Sequence, residues 1–180
     1  MNLATVRFLA VFALVAAGLF YFARQPRAQE TVAANRGAPV VPRPEDTAPV
    51  TKIVKAEGEW KAELTPGQFA VMRRKGTERA GSSELSREHR HGVYLCAGCG
   101  IPLFASDAKF ESGTGWPSFF HPFIPGNVTI AKDRSFLVER DEVLCARCGA
   151  HLGHVFDDGP APTGLRYCLN GVALKFEERP

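Results

Sequence analysis

Two short segments, Cys96-Ala97-Gly98-Cys99-Gly100 and Cys145-Ala146-Arg147-Cys148-Gly149, are near copies of one another and constrain the fold more than any other feature. With two residues between the cysteines, a tight turn lets both sulfurs reach one tetrahedral ion. The glycine after each pair suits a backbone conformation that other residues resist. Each knuckle is entered from an apolar stretch, Tyr94-Leu95 in one case and Val143-Leu144 in the other. Together Cys96, Cys99, Cys145 and Cys148 supply four thiolates. With no open position, that set makes a structural staple for one Zn2+ rather than a catalyst. Iron also accepts four thiolates. In an oxidising compartment each pair could instead be a disulfide or a redox couple. The duplication and the paired glycines favour metal.

The chain holds five cysteines, and Cys168 stands apart from the other four. The segment Leu165-Arg166-Tyr167-Cys168-Leu169-Asn170 reads as a strand, in which alternate side chains share a face. Arg166, Cys168 and Asn170 then point one way, while Tyr167 and Leu169 point into the core. An arginine beside a thiol favours the thiolate, which is the attacking form. An asparagine can position a substrate or a water. A lone cysteine is otherwise an inert buried residue, and it is the neighbours that argue for reactivity.

Upstream, His151-Leu152-Gly153-His154-Val155-Phe156-Asp157-Asp158 places two histidines beside carboxylates, a set suited to a general acid and its orienting partner. A second metal site is the competing reading, but it lacks an obvious third ligand. His89 and His91 fall in a polar loop and need no special role. In Ser112-Gly113-Thr114-Gly115-Trp116-Pro117-Ser118-Phe119, Trp116 is either a core residue or, if exposed, a wall for a methyl or methylthio group.

The remaining sequence sets the organisation. Phe8 to Ala23 are sixteen residues without a charge, preceded by Arg7 and followed by Arg24 and Arg27. That length falls just short of a bilayer span, whose lower limit is about 17 residues, unless the charged Arg7 is counted in, and it fits the apolar region of a signal sequence. Residues 1–24 are therefore expected to be a signal sequence or membrane anchor, and the protein to be exported or anchored, facing the periplasm in a Gram-negative source. Residues 25–57, with five prolines between 25 and 50, are expected to be an extended linker. The folded domain is expected over 58–180. Seventeen basic and sixteen acidic residues after position 50 leave it nearly neutral, so it lacks the positive field of a nucleic-acid binder.

Within that domain, Thr65-Pro66 reads as a helix N-cap with proline at the first helical position, and Phe69 and Met72 follow at helical spacing. From Gly92 onward the pattern changes to short β-rich runs: Val93-Tyr94-Leu95, Val128-Thr129-Ile130, Phe136-Leu137-Val138, and Val172 to Phe176. Punctuation by Gly, Pro, Asn and Asp predicts a mainly β, antiparallel domain with short N-terminal helices.

These motifs, in this order, resemble the B-type peptide-methionine sulfoxide reductases, the SelR family. The resemblance is carried by the two cysteine knuckles, Gly115-Trp116-Pro117-Ser118-Phe119, His151-x-x-His154-Val155-Phe156-Asp157-Asp158-Gly159-Pro160 and Arg166-Tyr167-Cys168-x-Asn170. Leu64-Thr65-Pro66 and Gly76-Thr77-Glu78-Arg79 add to it, and coverage runs from about Trp60 to Phe176. It implies two antiparallel sheets in a tent-like arrangement, stapled by zinc. It also implies that Cys168 attacks the sulfoxide sulfur while His154, supported by His151 and Asp158, protonates the departing oxygen. Trp116 would hold the substrate methyl group, and Arg166 and Asn170 would tune and orient thiolate and substrate. Cys168 would be left as a sulfenic acid. Selectivity for the R-sulfoxide follows from the resemblance alone.

One departure stands out. Many members of that family carry a resolving cysteine two residues before the tryptophan, where this chain has Thr114. With four thiols on zinc, Cys168 has no partner in the chain, so an external thiol such as a thioredoxin-like protein is expected to reduce it. The substrates would be oxidised proteins or peptides. Two rival readings remain at this level: a zinc-stabilised binding module, in which Cys168 is incidental, and a dithiol oxidoreductase using one Cys-x-x-Cys.

Overall fold

Local capping starts the helical part. Thr65 Oγ1 accepts a hydrogen bond from Gln68 N (3.3 Å), and Gln68 Oε1 accepts one from Thr65 N (3.1 Å). With Pro66 at the first position, this reciprocal cap sets the start of α2 (Pro66–Met72), which follows α1 (Glu57–Glu63). Helices of seven residues do not persist alone in water. Burial holds these two: α1 sinks Trp60, and α2 sinks Val71 and Met72. The Trp60 ring carries the Arg73 guanidinium at 4.5 Å from its centroid, a cation–π contact that roofs the helix pair.

The computed structural model describes residues 39–180 apart from 135–138. The expected signal or anchor over 1–24, the first part of the expected linker and the strand read at Phe136-Leu137-Val138 lie outside the described residues. Among those described, no helix is long and apolar enough to cross a membrane.

After Gly92 the chain is β. The strands are β1 (Gly92–Cys96), β2 (Pro102–Ala105), β3 (Lys109–Phe110), β4 (Ser118–Phe119), β5 (Val128–Asp133), β6 (Arg140–Cys145), β7 (His151–Phe156), β8 (Arg166–Leu169) and β9 (Leu174–Glu178). They form two antiparallel sheets, a smaller one ordered β2-β1-β9 and a larger one ordered β3-β4-β8-β7-β6-β5. The mainly β, two-sheet architecture expected from the sequence is the one observed.

Aromatic rings join the sheets. Phe104 of β2 stacks on Phe119 of β4 at 4.7 Å, Tyr94 of β1 meets the same ring edge-on at 4.8 Å, and Tyr167 of β8 reaches Phe104 at 5.4 Å. Phe104 and Phe119 are fully buried, so truncating either to alanine costs roughly 3–5 kcal/mol. This aromatic seam fixes how β8, and Cys168 with it, sits against the core.

Two sequence expectations need correcting. The strand read from Val172 begins at Leu174, because Gly171–Ala173 form a 3-10 turn. The Glu78 carboxylate accepts from Gly171 N (2.7 Å) and Val172 N (2.9 Å), which gives those amides a partner other than a strand. The linker expected over 25–57 is, from Pro39, packed against the domain. Val40 is buried beside Val93 and Ala105. Asp46 forms a buried ion pair with Arg179, and Ile53 N donates to Arg147 O at 2.8 Å. Proline-rich composition removed helical periodicity here, yet single apolar and acidic anchors suffice to dock the strap.

Candidate active site and metal centre

The two knuckles are hairpin turns in different sheets. Cys96 ends β1, and Gly100 N donates back to Cys96 O; Cys145 ends β6, and Gly149 N donates back to Cys145 O, each at 2.9 Å. Both closing glycines adopt positive φ, 73° and 66°, a region that side chains resist. The folded chain brings the four sulfurs within 4.8 Å of one another. Cys96 and Cys148 sulfurs are 3.7 Å apart, and those of Cys99 and Cys145 are 3.5 Å apart. A disulfide needs about 2.05 Å, whereas a tetrahedron with metal–sulfur bonds of 2.3 Å has an edge of about 3.8 Å. The spacing is that of a metal site. Crowded together, the four thiols hold their protons unevenly. Hydrogen bonding with Cys145 and Cys148 drives the Cys96 thiol up, while Cys148 is held down chiefly by Cys145. A divalent ion is what would let all four ionise together.

The second region lies on β7 and β8. His154 and Cys168 are directly paired across these strands, and Ser118 of β4 pairs with Cys168 on its other side. Close approach is possible because residue 153 is glycine: a Cβ there would lie 2.1 Å from Cys168 O. Tyr167 and Leu169 are buried in the core, and Cys168 is half-buried. Cys168, His154, Trp116, Asn170, Arg140 and Phe156 line one pocket of about 150 Å3 together with Thr77, Gly153 and Leu169. That is smaller than a typical cofactor cleft and sized for the end of a side chain. Trp116 is half-exposed there, its Nε1 donating to Glu78 O at 3.3 Å, so it forms a pocket wall rather than a core ring. A larger cavity of about 400 Å3, between the strap and the first knuckle, is lined by Arg43, Asp46, Leu95, Arg147 and others. Neither a cysteine nor a histidine lines it, so it offers no thiol and no imidazole.

The carboxylates are distributed differently from what the resemblance implies. Asp158 does not support His154. Its two oxygens accept from Arg166 Nε and Nη2 at 2.8 and 2.9 Å. This bidentate contact holds the Asp158 carboxyl below its ordinary value. Arg166 is raised in turn, first by Asp158 and further by Cys168. With its guanidinium also over the Phe156 ring at 4.5 Å, Arg166 is fixed as a permanent cation beside Cys168. The carboxylate at His154 is Asp133, 3.0 Å from Nε2, and Asp133 also receives Arg140 Nη2 at 2.9 Å.

His151 sits one layer deeper. Its Nδ1 contacts Glu142 Oε1 at 2.7 Å, and Glu142 takes Lys75 Nζ on the other oxygen at 2.7 Å. Burial lowers the His151 pKa against the opposing pull of Glu142. Its ring lies 5.4 Å from that of His154, edge-on, so it backs His154 through packing. Asn170 lines the pocket with much of its amide already engaged, Oδ1 accepting from Glu78 N (2.9 Å) and Nδ2 donating to Leu152 O (3.0 Å).

Three residues that hold the site, Glu142, Asp133 and Glu78, are not singled out by any motif in the sequence. Glu142 carried a signal, being an acidic residue in a strand leading into Val143-Leu144. Asp133 carried none, since nothing in its neighbourhood points at a residue twenty-one positions away. Glu78 holds both Trp116 and the turn after Asn170, and stood in a segment noted without a role.

A family model described as "SelR domain" matches residues 64–178. Curated proteins named peptide methionine sulfoxide reductase MsrB are similar over about 70% of the chain. That of Bradyrhizobium diazoefficiens is 56% identical over 128 residues, covering 71% of this chain and 92% of its own length. That of Leptospira interrogans is 53% identical over 127 residues, covering 71% and 97%. The Methanosarcina barkeri protein is 56% identical over 125 residues, covering 69% and 88%.

Proposed function

The chain belongs to the SelR family, and from that premise we propose that it reduces methionine sulfoxide in oxidised proteins or peptides with Cys168 as nucleophile. The observation that carries this reading is one small pocket shared by Cys168, His154 and Trp116. A sulfoxide oxygen leaves poorly until protonated, so a thiolate needs an acid close by, and these residues supply both.

The substrate methyl group rests on the Trp116 ring. Arg166, fixed by Asp158, places a permanent positive charge beside Cys168. The thiolate attacks the sulfoxide sulfur while His154, oriented by Asp133, donates a proton to the oxygen. The new S–S bond and the S–O bond then break as the protonated oxygen passes to Cys168 Sγ and methionine leaves, so a thiol and a sulfoxide become a sulfenic acid and a thioether. Selectivity is for the R-sulfoxide. Because position 114 is threonine, a thiol from outside the chain attacks the sulfenic acid and releases water. A second thiol then frees Cys168. A thioredoxin-like dithiol protein suits this role.

Zn2+ is the metal we assign to Cys96, Cys99, Cys145 and Cys148. All four thiolates are supplied by the chain, so the ion serves as a closed structural link. The link ties the β1–β2 hairpin of the small sheet to the β6–β7 hairpin of the large one. Residues 1–24 we read as the export signal or anchor, placing the domain on the periplasmic side.

The test is turnover of both diastereomers of a methionine sulfoxide peptide with a chemical dithiol, using wild type and Cys168→Ser. Reduction of the R form alone, lost in the variant, is the expected outcome. Turnover that survives Cys168→Ser contradicts it.

A further inference from the structure

The place where a resolving cysteine would stand is occupied by a chain of hydroxyls. Ser118 Oγ lies 2.7 Å from Ser112 Oγ, and Ser112 Oγ lies 2.8 Å from Thr114 Oγ1. Thr114 Oγ1 in turn lies 3.8 Å from Cys168 Sγ, within reach of an O–H···S contact. The far end is anchored, since Ser118 Oγ also meets Trp116 O at 3.1 Å. Ser118 is nearly fully buried and stands directly across the β4–β8 ladder from Cys168.

Each hydroxyl has one proton to donate and can accept as well, so the chain can be polarised in either of two senses. When Cys168 carries a proton, as thiol or sulfenic acid, it donates to Thr114. The protons then run Thr114 to Ser112 to Ser118 and end on the Trp116 carbonyl. When Cys168 or its oxygenated form is an anion, all three hydroxyls turn round and Thr114 donates to it. Neither state leaves a buried hydroxyl proton without an acceptor, and bonds in such a chain strengthen one another.

We propose that Thr114 is a positioning residue that, backed by Ser112 and Ser118, holds the Cys168 sulfenic acid in place until an external thiol arrives. This rests on the reductase reading of the same site and deepens it. A chain with a resolving cysteine removes its sulfenic acid from within. This chain must keep the intermediate intact for a bimolecular step, in which Cys168–SOH and R–SH give Cys168–S–S–R and water. A second thiol then restores Cys168.

The experiment compares wild type, Thr114→Val, Thr114→Ser and Ser112→Ala, each with its metal bound. Every protein is mixed with a methionine sulfoxide peptide in the absence of thiol, and surviving sulfenic acid is trapped at intervals with dimedone and read by mass spectrometry. Valine keeps the branched shape and loses the hydroxyl; serine keeps the hydroxyl and loses the methyl. Losing one neutral hydrogen bond is expected to shorten the sulfenic-acid lifetime about five-fold in Thr114→Val. Ser112→Ala should give a smaller loss, and Thr114→Ser should restore the wild-type lifetime. Equal lifetimes in wild type and Thr114→Val overturn the proposal, as does a valine variant that behaves normally beside a defective serine one. If wild type forms neither methionine nor a dimedone adduct, the reductase reading fails together with it.

Discussion

Five cysteines are divided between two surroundings, and the surroundings decide what each thiol can do. At the knuckles the neighbours of each sulfur are other sulfurs, pinned by backbone turns and within 4.8 Å of one another. At Cys168 the neighbours are a guanidinium, an imidazole across the ladder and a hydroxyl. The first setting invites a cation and leaves no free valence for chemistry. The second offers a charge partner, a proton donor and an opening to solvent. On the proposed reading, tying two sheets together and breaking an S–O bond both fall to the same functional group, and placement alone separates the two tasks.

The largest effect that could break this contrast is metal removal. Stripping the ion with a strong chelator, or replacing Cys96 with serine, is expected to abolish the cooperative thermal transition seen by circular dichroism, since metal binding at such a site is folding energy. Retention of the transition would mean that the aromatic seam alone holds the sheets.

Next in size is His154→Gln. It is expected to lower turnover about 100-fold, within the range for a general acid, while the melting temperature and metal content stay near wild type. A matching loss of stability would move His154 from the chemistry to the scaffold.

Smaller again is the Arg166–Asp158 pair. Asp158→Asn is expected to reduce turnover about ten-fold by freeing the guanidinium, and Arg166→Ala combined with it to add little, because the two act as a unit. Additive losses would separate them. The Asp158 carboxyl is lowered by Arg166. Its contribution to order around Cys168 is therefore complete above the unfolded carboxyl value and lost as pH falls through the lower folded one. A pH series of turnover comparing wild type with Asp158→Asn reads this, the two profiles converging once the carboxyl is protonated.

The smallest expected effect is at the strap. Asp46→Asn breaks the pair with Arg179 and is expected to raise proteolysis before Trp60 with turnover unchanged. Altered turnover would extend the active unit to the strap.

How legible this was in the sequence depended on how local each signal was. The knuckles were fully readable, because spacing and closing glycines specify a turn without outside help. The face carrying Arg166 and Cys168 was readable because strand alternation is a local rule, as was the Thr65 cap. Partner choice was not. Asp158 lies eight residues from Arg166, and whether its carboxylate meets that guanidinium or His154 depends on how the chain returns from β7 to β8. Glu142 and Asp133 reach their histidines only through the β5–β6–β7 register, which is set by the whole sheet. The strap's docking rests on scattered contacts such as Asp46 with a residue 133 positions away. No window of sequence contains both ends of such a contact.

The most direct test of this division of labour is peptide-resolved mass spectrometry of the metal-loaded protein after reaction with methionine sulfoxide peptide and no reductant. The account predicts one added oxygen on Cys168, an equivalent amount of methionine released, and Cys96, Cys99, Cys145 and Cys148 unmodified with their ion retained. An oxygen or a disulfide on any of those four, with Cys168 left as a thiol, would contradict it.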